Sequence, residues 1–182
     1  MSEEFEVLAD KHIEFIQKQH MFFVGTAGKE GRINVSPKGM DSFRVISESK
    51  VAWLNLTGSG NESAAHTLEN GRMTLMFCSY DKQPLIMRLY GKAKVSHPRD
   101  KNWDELTSLF PKYPGTRQIF EIDIDLVQTS CGFAVPYYEL VGERPTLDKW
   151  AEAKGEEGIR NYWLEKNTKS IDGADTGIFE DI

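Results

Sequence analysis

The residues best suited to chemistry in this 182-residue chain form one run, Thr57-Gly58-Ser59-Gly60-Asn61-Glu62-Ser63. It lies between an apolar strand-like segment ending at Leu56 and a helix-like segment at residues 62–69. Glycines permit a tight backbone path and close ligand approach. Asn61 is of a type favoured at a helix N-cap, and a helix start offers unpaired N–H groups at the positive end of its dipole. Thr57, Ser59 and Ser63 add hydroxyls around the same point. The combination suits an anion such as a phosphate, although the pattern alone describes an ordinary capped turn equally well. A second group, Asn34-Val35-Ser36-Pro37-Lys38-Gly39, places Ser36 and Lys38 at the end of an alternating run. Lys38 is a candidate site cation, with a solvated strand-end lysine as the alternative.

These groups need a scaffold, and the periodicity of the chain describes one. Residues 8–19 carry Leu8, His12, Phe15, Ile16 and Gln19 at helical steps. From there the period changes to that of strands. Residues 21–26 and 32–36 form a hairpin around the turn at 28–31, residues 43–46 and 51–56 a second pair, and residues 72–79 and 85–96 a third. Residues 118–128 alternate Phe120, Ile122, Ile124 and Leu126 with Glu121, Asp123 and Asp125, so one face of that strand is wet. Helices are expected at 62–69 and at 99–110, the latter entered through Pro98. Two more follow Pro145, one holding Leu147, Trp150 and Ala151 and the other Ile159, Tyr162 and Trp163. Antiparallel strands in this number are expected to close into a barrel, which protects their edges. The expectation is a mainly β, α+β chain: a six-to-eight-stranded antiparallel barrel with peripheral helices. No internal repeat or long linker divides it, so a single domain spans 1–182, with a barrel core at about 20–135 and a helical extension at about 136–182.

Composition bounds the function. With 22 basic and 28 acidic residues the net charge is −6, which argues against nucleic acid as a partner. Residues 139–182 hold 11 acids and 6 bases, so most of the excess lies in the tail. No apolar run is long enough to span a membrane, and acidic Glu3, Glu4 and Glu6 stand where a secretory signal needs positive charge. Two distant cysteines, Cys78 and Cys131, fit a reduced, cytoplasmic protein. His12, His20, His66 and His97 share no ligand spacing, so no metal site is expected. His66 is the histidine nearest the proposed anion site, one helical turn past Glu62.

At the motifs Asn-Val-Ser-Pro-Lys-Gly-Met-Asp (34–41) and Leu-Thr-Gly-Ser-Gly-Asn-Glu (56–62), the chain resembles the pyridoxamine 5′-phosphate oxidase-like flavoproteins with the FMN-binding split barrel. The resemblance covers roughly residues 22–127 and points to an uncharacterised branch. It implies a homodimer with FMN in grooves at the subunit interface and a small-molecule substrate. By the same likeness Lys38 matches the lysine that approaches the flavin, and Thr57 matches the hydroxyl residue beside the phosphate. Ser36, Gly58, Ser59, Asn61 and Ser63 complete the expected cofactor-binding set.

The chain departs from the oxidases at several points. Glu62 and Ser63 stand where an Arg-Lys pair holds the phosphate. Ile86 replaces a flavin-contacting glutamine, with Arg88 two residues on, on the same face, as the candidate replacement charge. The oxidases' C-terminal Trp and Arg-x-His groups have no counterpart, so pyridoxamine phosphate is not the expected substrate. The expectation is an FMN-dependent oxidoreductase; a non-catalytic flavin-, deazaflavin- or haem-binding dimer is the alternative. The segment 130–138, rich in aromatic residues, would form a cofactor cover or a dimer seam.

Overall fold

The computed structural model describes residues 2–179. Its eight strands are β1 (Ser2–Phe5), β2 (Phe22–Thr26), β3 (Asn34–Lys38), β4 (Phe43–Ser47), β5 (Lys50–Leu56), β6 (Arg72–Cys78), β7 (Ile86–Ser96) and β8 (Thr116–Ser130). Four helices join them: α1 (Asp10–Gln17), α2 (Glu62–Asn70), α3 (Trp103–Thr107) and α4 (Thr146–Lys166). Strand order is β3-β2-β6-β7-β8-β5-β4, with β1 added to β8, and every pairing is antiparallel. The two ends of this path, β3 and β4, are consecutive in sequence and joined only by residues 39–42. The sheet therefore curls so that its ends meet at a seam rather than at two distant open edges, which is the split-barrel arrangement.

Alternation drives the curl. Val24, Val51, Trp53, Leu75, Met87, Leu89, Phe120, Ile122 and Val127 are buried on the inner face. Trp53 of β5 stacks on Phe120 of β8 at 4.4 Å, and Phe22, Phe43 and Phe77 pack edge to face or stacked beside them. The other face of β5 and β8, with Ala52, Leu54 and Ile119, is covered by Leu106 and Phe110. β5 is thus buried on both faces, and any polar side chain it carries must find protein partners.

The expected hairpins form with ends shifted by one or two residues. Three departures have local causes. β1 is an added strand whose acidic, non-alternating sequence gave no strand signal; it exists through its pairing with residues 127–130. α3 begins at Trp103, because the 97–102 stretch is a turn in which Asp100 accepts the His97 N–H at 2.7 Å, so Pro98 lies outside the helix. The extension forms α4, broken at Gly155, whose φ of 64° interrupts the helix between the two expected segments. The last three residues of that extension lie outside the described residues. Among the described residues no helix is long and apolar enough to cross a membrane.

Between Tyr90 and Gly91 the β7–β8 register shifts, and a Cβ on Gly91 would collide with the Asp123 backbone carbonyl. Gly91→Ala is expected to destabilise the fold by about 1–3 kcal/mol, read as a lowered denaturation midpoint with unchanged m-value.

Candidate functional site

A cavity of about 740 Å3 opens at the seam, between β3, the end of β5, the start of α2 and the segment after α4. Its charged lining is Arg32, Lys38, Arg117, Lys166 and Lys169 against a single acid, Glu62. Three of these cations are ion-paired at the rim, Arg32 with Asp172, Lys166 with Glu165 and Lys169 with Asp175, so within a chain of net charge −6 the inner positive charge is that of Lys38 and Arg117.

The 57–63 loop takes its shape from behind. The Gly58 carbonyl accepts hydrogen bonds from Arg117 Nη1 at 3.4 Å and Asn167 Nδ2 at 3.1 Å, and the Gly60 carbonyl accepts from Arg117 Nη2 at 3.1 Å. Asn167, fully buried, also accepts from Arg117 Nη1 at 2.8 Å, and its own carbonyl accepts from Asn61 Nδ2 at 3.1 Å. Among the described residues, no acceptor engages the N–H groups of 58–62. Carbonyls drawn into the protein and N–H groups left over are the arrangement an anion needs.

Arg117 reaches this place through a bulge. Asn55 pairs with Gln118 and Leu56 with Thr116, which leaves Arg117 as the extra residue of β8. It is 2% exposed, and burial brings its pKa down to about 10.

The expected site residues divide. Ser36, Lys38, Gly58, Ser59, Asn61 and Ser63 all line the cavity. Thr57 does not: it is buried, its hydroxyl donating to the Gly115 carbonyl at 2.7 Å and accepting from Trp163 Nε1 at 2.8 Å. Arg88 is also elsewhere, on β7 with Nη1 donating to Ser130 Oγ at 3.3 Å, and the fold does not bring it to the cavity of its own chain.

Two local expectations need correction. Neither Gly58 nor Gly60 has a positive φ; a Cβ on Gly60 would collide with the Glu62 carboxylate, whereas one on Gly58 meets nothing within 4 Å, so the fold itself does not require glycine at 58. Asn61 occupies the N-cap position of α2, but its side chain does not cap. Its Oδ1 is buried without a donor.

Glu62 does not point away. It lines the cavity, with Oε1 accepting the Ile171 N–H at 3.3 Å, and its charge bears on both Lys38 and Arg117. Ser63 Oγ accepts from Asn34 Nδ2 at 3.1 Å, and His66 Nδ1 lies 3.0 Å from Thr26 Oγ1, so His66 belongs to the scaffold behind α2.

Lys38 reaches inward from β3. Its Nζ donates to Asn55 Oδ1 at 3.3 Å and stands 5.1 Å from the Trp53 ring centre. Desolvation, and then the neighbouring Arg117 charge, lower its pKa to about 8. Asn55 continues to Gln118 and His97. His97 is buried, and desolvation followed by the Arg99 charge lowers its pKa to about 4.

Arg117, Asn167, Lys166 and Lys169 are absent from the sequence-based set. Arg117 stands at the start of a readable strand, but the other three follow the acidic, helical tail, and nothing local links them to the loop. Beyond Trp163, on the far side of Thr57, lies a second cavity of about 890 Å3 with a mainly apolar lining. Among the described residues no group of three His, Cys, Asp or Glu is gathered as metal ligands would be.

The family model described as pyridoxamine 5′-phosphate oxidase matches residues 8–131. The chain belongs to the pyridoxamine 5′-phosphate oxidase family. It is 39% identical over 187 residues to the pyridoxamine 5′-phosphate oxidase family protein ustO of Aspergillus flavus, covering 93% of this chain and 75% of that protein. Solved structures of the same fold include a putative pyridoxamine 5′-phosphate oxidase from Lactobacillus delbrueckii, at TM-score 0.56 and 18% identity over 68% of this chain and 94% of that one. HupZ of group A Streptococcus matches at TM-score 0.54 and 16% identity, over 67% of this chain and 98% of its own. The family match ends at residue 131, so Asn167, Lys166 and Lys169 come from beyond it.

His97 makes stability pH-dependent. Folding keeps it neutral to about pH 4, whereas an unperturbed imidazole takes up its proton near 6.5. The unfolded state thus binds more protons as pH falls, and up to about 3 kcal/mol present above pH 6.5 is lost between there and pH 4. Denaturation of His97→Gln across that window is expected to show a flatter stability profile than the wild type.

Proposed function

We propose that this protein is an FMN-dependent oxidoreductase acting on a small molecule other than pyridoxamine phosphate. The observation that carries the reading is the cavity's charge, five basic side chains against one acid, beside a loop whose N–H groups find no acceptor among the described residues. The residues fit the cofactor. The N–H groups of 58–62, with the Ser59 and Ser63 hydroxyls, would hold the phosphate, and the positive field compensates for the missing Arg-Lys pair. Asn61 Oδ1, buried without a donor, would accept from a ribityl hydroxyl. Lys38, inward of the loop, would stand near the ring, and Ser36 beside it on the same strand face. Bound flavin supplies electron transfer; the protein's part is to seat it, exclude water and set the charge around it.

A homodimer accompanies this reading. β3 is an end strand of the sheet, with Val35 on it 64% and Ile33 just before it 76% exposed, and the 131–145 segment leaves Phe133, Tyr137, Tyr138, Leu140 and Val141 uncovered. A second copy would bury them, making that segment a seam.

Titration of the purified protein with FMN is the test. Quenched flavin fluorescence with one FMN per chain supports the reading, and colourless protein that leaves FMN fluorescence unchanged overturns it. Reduction of bound flavin by NADH or NADPH, then reoxidation by an added acceptor, separates enzyme from binding module. Glu62→Gln removes the acid facing the phosphate site and is expected to tighten FMN about fivefold, the ~1 kcal/mol of one like charge in a partly exposed site. Lys38→Ala, by removing a positive charge near the ring, is expected to lower the midpoint potential of bound FMN by about 30 mV, measured against a reference dye.

A further inference from the structure

Behind Lys38 runs a row of buried polar side chains that the binding of a phosphate does not use. Asn55 is 4% exposed, Gln118 0% and His97 3%, and they come from β5, β8 and the turn after β7. Lys38 Nζ donates to Asn55 Oδ1 at 3.3 Å, and Asn55 Nδ2 donates to Gln118 Oε1 at 3.1 Å. Gln118 Nε2 lies 3.2 Å from His97 Nε2.

From the Lys38 end onward, the chemistry of these groups sets the direction of each bond. A lysine ammonium only donates, so the amide of Asn55 must face it with oxygen. That leaves Asn55 its NH2 for Gln118, which must answer with oxygen and turn its own NH2 to His97. The ring nitrogen His97 Nε2 must then accept, which places the imidazole proton on Nδ1, 3.8 Å from Asp100 Oδ2; Arg99 Nη2, also donor-only, lies 3.5 Å from that Nδ1, the longest hydrogen-bond contact of the row, and is the one that yields, because its guanidinium is held by the Gly177 carbonyl at 2.6 Å and the Ile178 carbonyl at 2.7 Å. A proton on Nε2 would face the Gln118 NH2 donor to donor, and relieving that would turn both amides and bring the Asn55 NH2 against the ammonium. Buried groups cannot resolve such a conflict with water.

We propose that Asn55, Gln118 and His97 are positioning residues: His97, as the terminal acceptor, holds both amides in the one orientation that keeps a carbonyl oxygen on Lys38. Lys38 faces Arg117, which disfavours the ammonium, and Glu62, which favours it; His97 faces Arg99, Arg117 and Asp100. Lys38 therefore retains its charge in a crowded positive cavity with the help of an acceptor that is oriented from three side chains away.

The test uses flavin-free protein and does not depend on what the cavity binds. The rate of Lys38 labelling by acetic anhydride, followed by peptide mass spectrometry from pH 6 to 10, reports the fraction present as free amine. In His97→Phe the terminal acceptor is gone, the ammonium is held less well, and labelling of Lys38 at pH 7 is expected to rise roughly fivefold, as follows from a tenfold weaker hold on its proton. His97→Gln, whose side-chain oxygen can occupy the place of Nε2, is expected to restore the wild-type profile. A purely structural role would lower the melting temperature in both variants and leave the labelling profile unchanged. Unchanged labelling in folded His97→Phe, or no rescue by His97→Gln, overturns the proposal. Nitrogen-15 NMR of the wild type gives a check independent of any variant: the His97 proton must reside on Nδ1 between pH 6 and 8, and finding it on Nε2 also overturns the proposal.

Discussion

The structure of the site depends on one buried guanidinium. Arg117 is all but closed off from water, and its two terminal nitrogens find their acceptors within the protein, the backbone carbonyls of Gly58 and Gly60 together with Asn167 Oδ1, while its Nε is buried without a partner. Serving the cation turns those carbonyls inward and leaves the N–H groups of the loop without acceptors among the described residues. The bulge in β8 is the geometric condition for this. Without the extra residue opposite Asn55 and Leu56, the alternation of β8 would carry Arg117 to the face shared by Ile119, against Ala52 and Leu54.

The distribution of charge follows from the same arrangement. Residues 139–182 carry most of the chain's negative excess, yet the cations they do possess near their end, Lys166 and Lys169, are set at the cavity mouth. Their acidic neighbours form exposed pairs, Lys166 with Glu165 and Lys169 with Asp175, which are weak and readily exchanged. Arg32 of the opposite wall pairs with Asp172 in the same way. The extension is thus a wall of the cavity, held to the barrel by Asn167 and Trp163 and braced within itself by Thr176, whose hydroxyl donates to the Asn167 carbonyl.

What was legible in the sequence was whatever is encoded locally. The hairpins announce themselves by alternation and turn residues, the loop by its glycines, and Lys38 by its place at the end of an alternating run. What was illegible depends on distant partners. Thr57 looks like a ligand hydroxyl until Trp163, 106 residues later, is found bonded to it. Arg117 looks like the polar start of a strand, and only contacts 57 to 59 residues back and 50 residues on reveal its use. Asn55 and Gln118 look like interruptions in apolar strands, and their burial makes sense only once Lys38 and His97 close the row at its two ends. β1 lacked a pattern because its pairing with β8, rather than a buried face, defines it.

The position of Asn167 in the chain has a consequence for assembly. Every strand of the barrel precedes residue 131, so during synthesis the sheet can curl while the glycine loop still lacks one of its two inner anchors. Arg117 Nη1 and the Gly58 carbonyl would at that stage lack their Asn167 partner, and the loop would be held by Arg117 alone. Only when the polypeptide is complete through Thr176 can the last acceptor settle, so the chamber at the seam is the final part of the molecule to acquire its form.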